Sequence, residues 1–458
     1  MPHDIINGYT WLFLACSALL AAGQEHVIEI DFAKTNGVFR PLHSINKGGF
    51  AAGGTISLTE QLRPLSIPFA RLHDCQWPAP DVVDMHAIFR DAKADPADPK
   101  SYDFALTDEY LRSVFAAGMH VVYRLGESIE HTETKRFVHP PADPGRWASA
   151  CVGIIKHYNQ AWANGFRYGI RYWEIWNEPE NRPAMWTGTD EDYFQLYATV
   201  ATRIKAEFPD LKVGGPSVGY SGTFRDGVFQ PSPFVTNFLT RCHLGSVPLD
   251  FFSWHCYTDD PAELTARARA IRRLLDTYGF INTESHLNEW NHLPGNSWNG
   301  ASRKATPAER EKYFHAMSGA PGAAFILAAL LELQDAPVDM CNLFHGELGA
   351  FGLFNEFGVP QPNYRALEAF SRIARRPRAS VRGNVPGQLA AAASESLILI
   401  SNFKHPARDI LIRVTGRVLA TCRVQINSRE PVEHRCTNGE LRLQLPSPGI
   451  AIIVLNPQ

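Results

Sequence analysis

Two glutamates carry the most pointed chemistry in this chain. Glu178 follows Asn177 and precedes Pro179 at the end of the apolar run Tyr172-Trp173-Glu174-Ile175-Trp176, and Glu289 ends a second run, Ser285-His286-Leu287-Asn288. A pair of carboxyl groups held ~5–5.5 Å apart can cleave a glycosidic bond with retention, one as acid and then base, the other as nucleophile. By itself Asn-Glu-Pro reads more readily as a solvated strand end, since most glutamates are exposed. Company at other strand ends turns the balance. Arg71 and His73 close one apolar run, Tyr123, Arg124 and Glu127 another, and Trp254, His255 and Tyr257 a third. An arginine beside a carboxylate keeps it ionised, and a tyrosine hydroxyl can hold it in place.

Such a set needs rigid supports that all end at one face. Eight short apolar runs qualify as strands: 42–45, 68–73, 120–125, 172–176, 212–214, 250–255, 285–289 and 340–344. Helical patterns lie between them, at 108–118, 190–208 and 261–278. Eight strands alternating with helices predict a (β/α)8 TIM barrel, an α/β fold whose catalytic residues gather where the strands end. Glu178 then closes the fourth strand and Glu289 the seventh, facing each other across the mouth. A doubly wound sheet is the structural rival, but no Gly-x-Gly-x-x-Gly or phosphate loop follows any strand. After the helix 362–376 the texture changes to short strands divided by turns, which predicts a small C-terminal β-sandwich. The expected layout is residues 24–377 as catalytic barrel and 378–458 as sandwich, with strand 27–32 able to join the latter.

The 458 residues are 45% hydrophobic and 20% charged, with a formal charge of −3, which excludes a strong pull toward nucleic acid or anionic membrane. The apolar run 9–22 has the length of a signal-peptide core and is too short to span a membrane comfortably, although no Lys or Arg precedes it. Residues 1–23 are therefore expected to be a cleaved signal, and the product secreted or periplasmic. Cysteines 75, 151, 242, 256, 341, 422 and 436 show no Cys-x-x-Cys spacing, and no His-x-His or His-Glu-x-x-His occurs, so no metal site and no cofactor are expected. Cys422 and Cys436 fall in neighbouring strands, where either a disulfide or two buried thiols would fit. A non-catalytic carbohydrate-binding barrel and a metal-dependent barrel hydrolase are the rival function classes.

Trp173-Glu174-Ile175-Trp176-Asn177-Glu178-Pro179, then Met185 to Thr189, Val213-Gly214-Gly215-Pro216-Ser217, Asp250 to Tyr257 and Leu287-Asn288-Glu289-Trp290-Asn291 form an ordered series. From about residue 30 to 375 the chain resembles glycoside hydrolase family 39, the clan A family of retaining β-xylosidases and α-L-iduronidases. The resemblance implies Glu178 as acid/base, Glu289 as nucleophile, Asn177 on the sugar 2-hydroxyl and Tyr257 against the nucleophile. Arg71 and His73 would line the subsite of the cleaved sugar, with His255, Trp290 and Arg124 as further substrate contacts. Two departures stand out: Phe344-His345-Gly346-Glu347 where a Trp is usual, and a charged strand-three end. The expected reaction is exo-hydrolysis of β-xyloside-like bonds in plant or microbial polysaccharides, with an α-L-arabinoside, β-hexoside or uronide as alternative.

Overall fold

The computed structural model describes residues 25–51 and 57–456. The apolar run read as a signal lies outside them. Eight parallel strands close into a barrel in sequence order: β1 (Ser44–Asn46), β2 (Phe69–Leu72), β3 (His120–Leu125), β4 (Tyr172–Ile175), β5 (Lys212–Val218), β6 (Phe251–Thr258), β7 (Glu284–His292) and β8 (Met340–Leu343). Each expected run is one of these strands. Phe69, Val122, Tyr172, Phe251 and Met340 pack together and plug the amino-terminal end of the barrel. The opposite end, where the strands finish, is polar.

Two strands run longer than their apolar stretches suggest. β6 and β7 stay paired as far as Thr258 and His292, with a register shift between Leu287 and Glu289. The extra residue there is a β-bulge, which breaks the in–out alternation of side chains. A second shift lies between Pro216 and Val218 on β5, at Ser217, whose φ of 55° is left-handed.

The sandwich consists of a four-stranded and a five-stranded sheet. The first has the order Pro377–Arg382, His26–Val38, Asp409–Thr415, Glu440–Gln444; the second Leu389–Ser394, Leu397–Asn402, Gly449–Leu455, Thr421–Ile426, Val432–Arg435. The amino-terminal strand thus lies in the sandwich, antiparallel to Pro377–Arg382 and parallel to Asp409–Thr415. Helix Ala320–Glu332 lies between the two units. It packs on β7 and on strands Leu389–Ser394, Leu397–Asn402 and Gly449–Leu455, and is apolar nearly all round because neither side meets water. Taken with the preceding helix it is apolar enough to cross a membrane on composition alone, yet 72% of that window is buried inside the protein. Cys422 and Cys436 stand as two thiols, their sulfurs 3.7 Å apart.

Candidate active site

Arg71, at the centre of the barrel mouth, organises the site. Its guanidinium is fully buried and uses every N–H it has. Nε donates to Glu174 Oε2 at 2.6 Å, Nη1 to Asn46 Oδ1 and to Glu289 Oε1, both at 3.0 Å, and Nη2 to Asn177 Oδ1 at 2.6 Å and Ser217 Oγ at 2.7 Å. One side chain on β2 thereby sets the position of residues from β1, β4, β5 and β7. Glu174 balances its charge and takes a further hydrogen bond from Asn288 Nδ2 at 2.6 Å.

The bulge on β7 explains how Asn288 and Glu289 both face inward although they are sequence neighbours. Asn288 reaches Glu174 and Ser217, while Glu289 reaches Arg71 and accepts from the Tyr257 hydroxyl at 2.9 Å. The residue after the bulge turns outward. Trp290 is fully buried among core residues, its ring centroid 6.4 Å from that of Phe325 on the interdomain helix. The structure does not bring Trp290 to the site; it is a core residue.

At the end of β4 two residues take left-handed φ, Trp176 at 70° and Glu178 at 44°. Such angles cost about 1–3 kcal/mol each and persist only where neighbours enforce them. Here Trp176 N–H donates to Leu125 O at 2.7 Å and Glu178 N–H to Ser217 O at 3.0 Å. The kinks send Trp176 outward onto Trp186 and turn Glu178 into the mouth. Gly219 leaves it room, since a Cβ there would come within 2.4 Å of Glu178 Oε1. Asn177 has its Oδ1 held by Arg71, so its amide nitrogen, with no protein partner among the described residues, is the group free to donate.

His255 bridges the two carboxylates. Ser217 Oγ accepts from Arg71 Nη2 at 2.7 Å and from Asn288 Nδ2 at 2.9 Å, which fills both lone pairs and leaves its hydrogen for His255 Nε2 at 2.8 Å or Asn177 Oδ1 at 2.9 Å. In the neutral ring that accepts this hydroxyl at Nε2, the imidazole proton sits on Nδ1. That nitrogen lies 2.8 Å from Glu178 Oε1 and 3.4 Å from Glu289 Oε2. One oxygen of each carboxylate lies within 4.8 Å of the other. Burial drives the Glu178 carboxyl up, but His255 and Asn181 outweigh it, and the net shift is downward. Burial raises Glu289 more than His255 and Arg71 lower it. For His255 burial lowers the pKa, yet Glu289 and Glu178 more than reverse this. The three groups therefore hold their protons in common.

The remaining expected residues divide. His73 lies at the mouth, 97% buried, with Nε2 3.4 Å from Asp74; burial and the charges of Arg124 and Arg71 hold it well below its usual pKa. Arg124 is committed elsewhere, in an ion pair with Asp84 and a hydrogen bond to Ser128. It braces the loop after β3. Asp84, His86 and Glu127 converge beside it, but Arg124 already neutralises Asp84 and His86 already engages Glu127. Tyr257, Trp298, Phe344 and Phe351 form an aromatic wall, with Trp298 5.0 Å from the Tyr257 ring and 5.9 Å from Phe351. Sequence reasoning left this wall open because Trp298 comes from the loop after β7, not from β8. It also missed Lys47 at the end of β1, whose ammonium lies 5.2 Å over the Phe344 ring and forms no ion pair among the described residues. Glu174, Asn288 and Ser217 sit inside motifs already singled out, but strand alternation alone does not tell which way they face.

Residues 69–380, more than half of the chain, match the family described as Glycosyl hydrolases family 39. The chain belongs to family 39. A family 39 assignment agrees with its curated relatives: the chain is 29% identical over 265 residues to a β-xylosidase of Caldicellulosiruptor saccharolyticus, covering 52% of this chain and 48% of that one. It is 26% identical over 325 residues to a β-xylosidase of Geobacillus stearothermophilus, covering 62% and 59%. The matched part thus spans about half to three-fifths of these relatives. The solved structure of a glucosidase from Croceicoccus marinus superposes with a TM-score of 0.76 at 22% identity, covering 95% of this chain and all of that one, a likeness of fold.

Proposed function

We propose that this family 39 protein is a retaining exo-glycosidase acting on β-xyloside-like bonds of plant or microbial polysaccharides. The carrying observation is the spacing of Glu178 and Glu289, whose nearest oxygens lie within 4.8 Å. Retention needs carboxyl groups ~5–5.5 Å apart, whereas inversion needs ~6.5–9.5 Å so that a water can stand between them. The β-xylosidase relatives support xylose as the first sugar to try.

Glu289, held by Arg71 and Tyr257, attacks the anomeric carbon as the anion, and Glu178 protonates the departing oxygen with the proton it shares with His255 Nδ1. Attack turns Glu289 from an anion into a neutral ester. That removes the negative charge beside Glu178, which then accepts a proton from the water that cleaves the ester. The free amide of Asn177 serves the 2-hydroxyl, and the aromatic wall receives the sugar's C–H face. Secretion, expected from the amino-terminal apolar run, is part of this proposal.

The test uses an activated aryl xyloside. Glu178→Gln is expected to leave formation of the glycosyl-enzyme fast and slow its hydrolysis about 10²–10⁴-fold, so that mass spectrometry finds a sugar ester on Glu289. A label on any other residue, or product of inverted configuration, refutes the mechanism. A second reading is favoured by Lys47: an unpaired ammonium at the mouth suits the carboxylate of a uronide, the role that Arg124 is too committed to fill. Turnover of an aryl glucuronide that exceeds that of the xyloside and collapses in Lys47→Met would select it.

A further inference from the structure

Outside the barrel mouth an apolar cavity of about 790 Å3 opens between the loop after β2, the start of helix Ala105–Ala116 and the segment that enters helix Pro144–Gln160. Phe89, Met85, Trp147 and Trp176 line its interior, and neither Glu178 nor Glu289 borders it. Two large apolar side chains on its lining, Leu106 and Phe137, are each left 41% exposed. A volume of ~300–1,000 Å3 with apolar walls and a few polar groups is that of a site for a drug-sized molecule.

The charged groups are of both signs, but cations outnumber carboxylates, with Arg90, Lys93, Arg136 and Arg146 against Asp103, Glu127 and Asp143. His86 lies flat on Phe137, the ring centroids 3.6 Å apart and the planes 4° from parallel. Its Nδ1 is 2.5 Å from the Glu127 carboxylate, and Nε2 has no hydrogen-bond partner among the described residues. Burial works against a proton on this ring, but Glu127 prevails, and the His86 pKa is raised. Arg90 is paired with Asp103 at 2.8 Å, and Arg146 lies 3.8 Å from Asp143. Lys93 and Arg136 also line the cavity and have no carboxylate partner among the described residues. The Glu130 carboxylate accepts the backbone N–H groups of Arg136 and Phe137 at 2.7 and 2.9 Å, which holds that side of the rim in place.

From the apolar walls, the stacked His86 and the two unpaired cations we infer that this cavity binds an amphiphilic carboxylate. The apolar body lies on Trp147, Trp176 and Phe89, and the head group meets His86, Lys93 and Arg136. A cation would be repelled by Lys93 and Arg136, and a neutral chain would leave both unanswered. A free inorganic anion would leave the apolar walls uncovered. The site is independent of the glycosidase reading, and either can fail without the other.

The probe is dodecanoate below its micellar concentration, titrated into the full chain at pH 7 and followed by tryptophan fluorescence and calorimetry. Dodecan-1-ol and dodecyltrimethylammonium serve as neutral and cationic controls. Saturable one-to-one binding of dodecanoate is expected, with the alcohol at least about tenfold weaker, roughly 1.4 kcal/mol, and the ammonium without effect. Ala87→Trp fills the cavity and should abolish binding. The double variant Lys93→Glu, Arg136→Glu, both exposed side chains, should weaken dodecanoate about tenfold and keep both circular dichroism and aryl-glycoside hydrolysis unchanged. No saturable binding, binding undiminished in the charge-reversed variant, or equal uptake of the ammonium overturns the proposal.

Discussion

Arg71 joins four strands through one guanidinium, and its removal should be felt in both stability and turnover. In Arg71→Met, Glu174 and Glu289 lose their common counter-charge while staying buried, a situation that costs about 3–5 kcal/mol. Denaturant unfolding should show a loss of that order, and kcat should fall with it because Asn177 and Glu289 lose their anchor. A variant that keeps wild-type stability would show that the pairs with Glu174 and Glu289 contribute little. Two tryptophans, Trp290 in β7 and Trp298 in the loop after it, make a sharper contrast. Trp298, 49% exposed on the aromatic wall, should raise KM about tenfold, roughly 1.4 kcal/mol, when changed to alanine. Trp290→Phe should leave KM unchanged and lower only the unfolding midpoint. The reverse pattern would mean that the indole of Trp290, not that of Trp298, meets the sugar.

At the scale of elements, irregularities do the positioning. The bulge at Asn288, the left-handed Ser217 and the paired bends at Trp176 and Glu178 each break a strand's alternation where two neighbouring side chains must face one pocket. The interdomain helix Ala320–Glu332 has another task. Its residues from Gly322 to Leu331 are all buried, so it behaves as a core element of both units. Leu327→Ala should cost about 2–5 kcal/mol and lower the melting of barrel and sandwich together in one calorimetric transition. Two separate transitions would show that the helix does not couple them.

The whole molecule sets the response to acid. Glu127, Glu180, Glu332 and Glu347 are each pushed up to about 7, in every case chiefly by burial. The folded state holds these protons where the unfolded chain has lost them, so their contribution falls as pH rises from about 4.5 to 7. Buried His43 is lowered to about 4, and His73 and His345 well below the usual value, again by burial. Their contribution has the opposite sign, falling as pH drops below about 6.5. Between pH 5 and 6.5 the two sets offset each other. Below about 4.5 the glutamates are protonated in both states and only losses remain. Glu284 joins them there: burial would raise it, but His286 and Lys212 hold it at about 2. Calorimetry should find a melting temperature nearly level from pH 5 to 6.5 and falling steeply below 4.5. A steady decline all the way from 6.5 would show that the buried glutamates are not protonated.

Much of this was legible in the chain. Eight apolar runs ending in polar residues, with helices between, predict a parallel α/β fold, because strands buried on both faces need continuous apolar side chains, and the lack of a phosphate loop after any strand favours the barrel over the doubly wound sheet. As polar ends of such runs, Asn177-Glu178-Pro179 and Asn288-Glu289 pointed to the pair proposed as reactive. Direction was not legible. Alternation assigns facing only while the register holds, and the register breaks at Ser217 and Asn288, so whether Trp290 faced sugar or core depended on a bulge that local sequence does not announce. Nor could spacing along the chain show that Arg124 would be taken by Asp84, or that Lys47 and Trp298 would come to the mouth. Those outcomes rest on which charges and rings lie within a few ångströms of one another, and only the closed barrel brings residues from strands so far apart in the chain to one point.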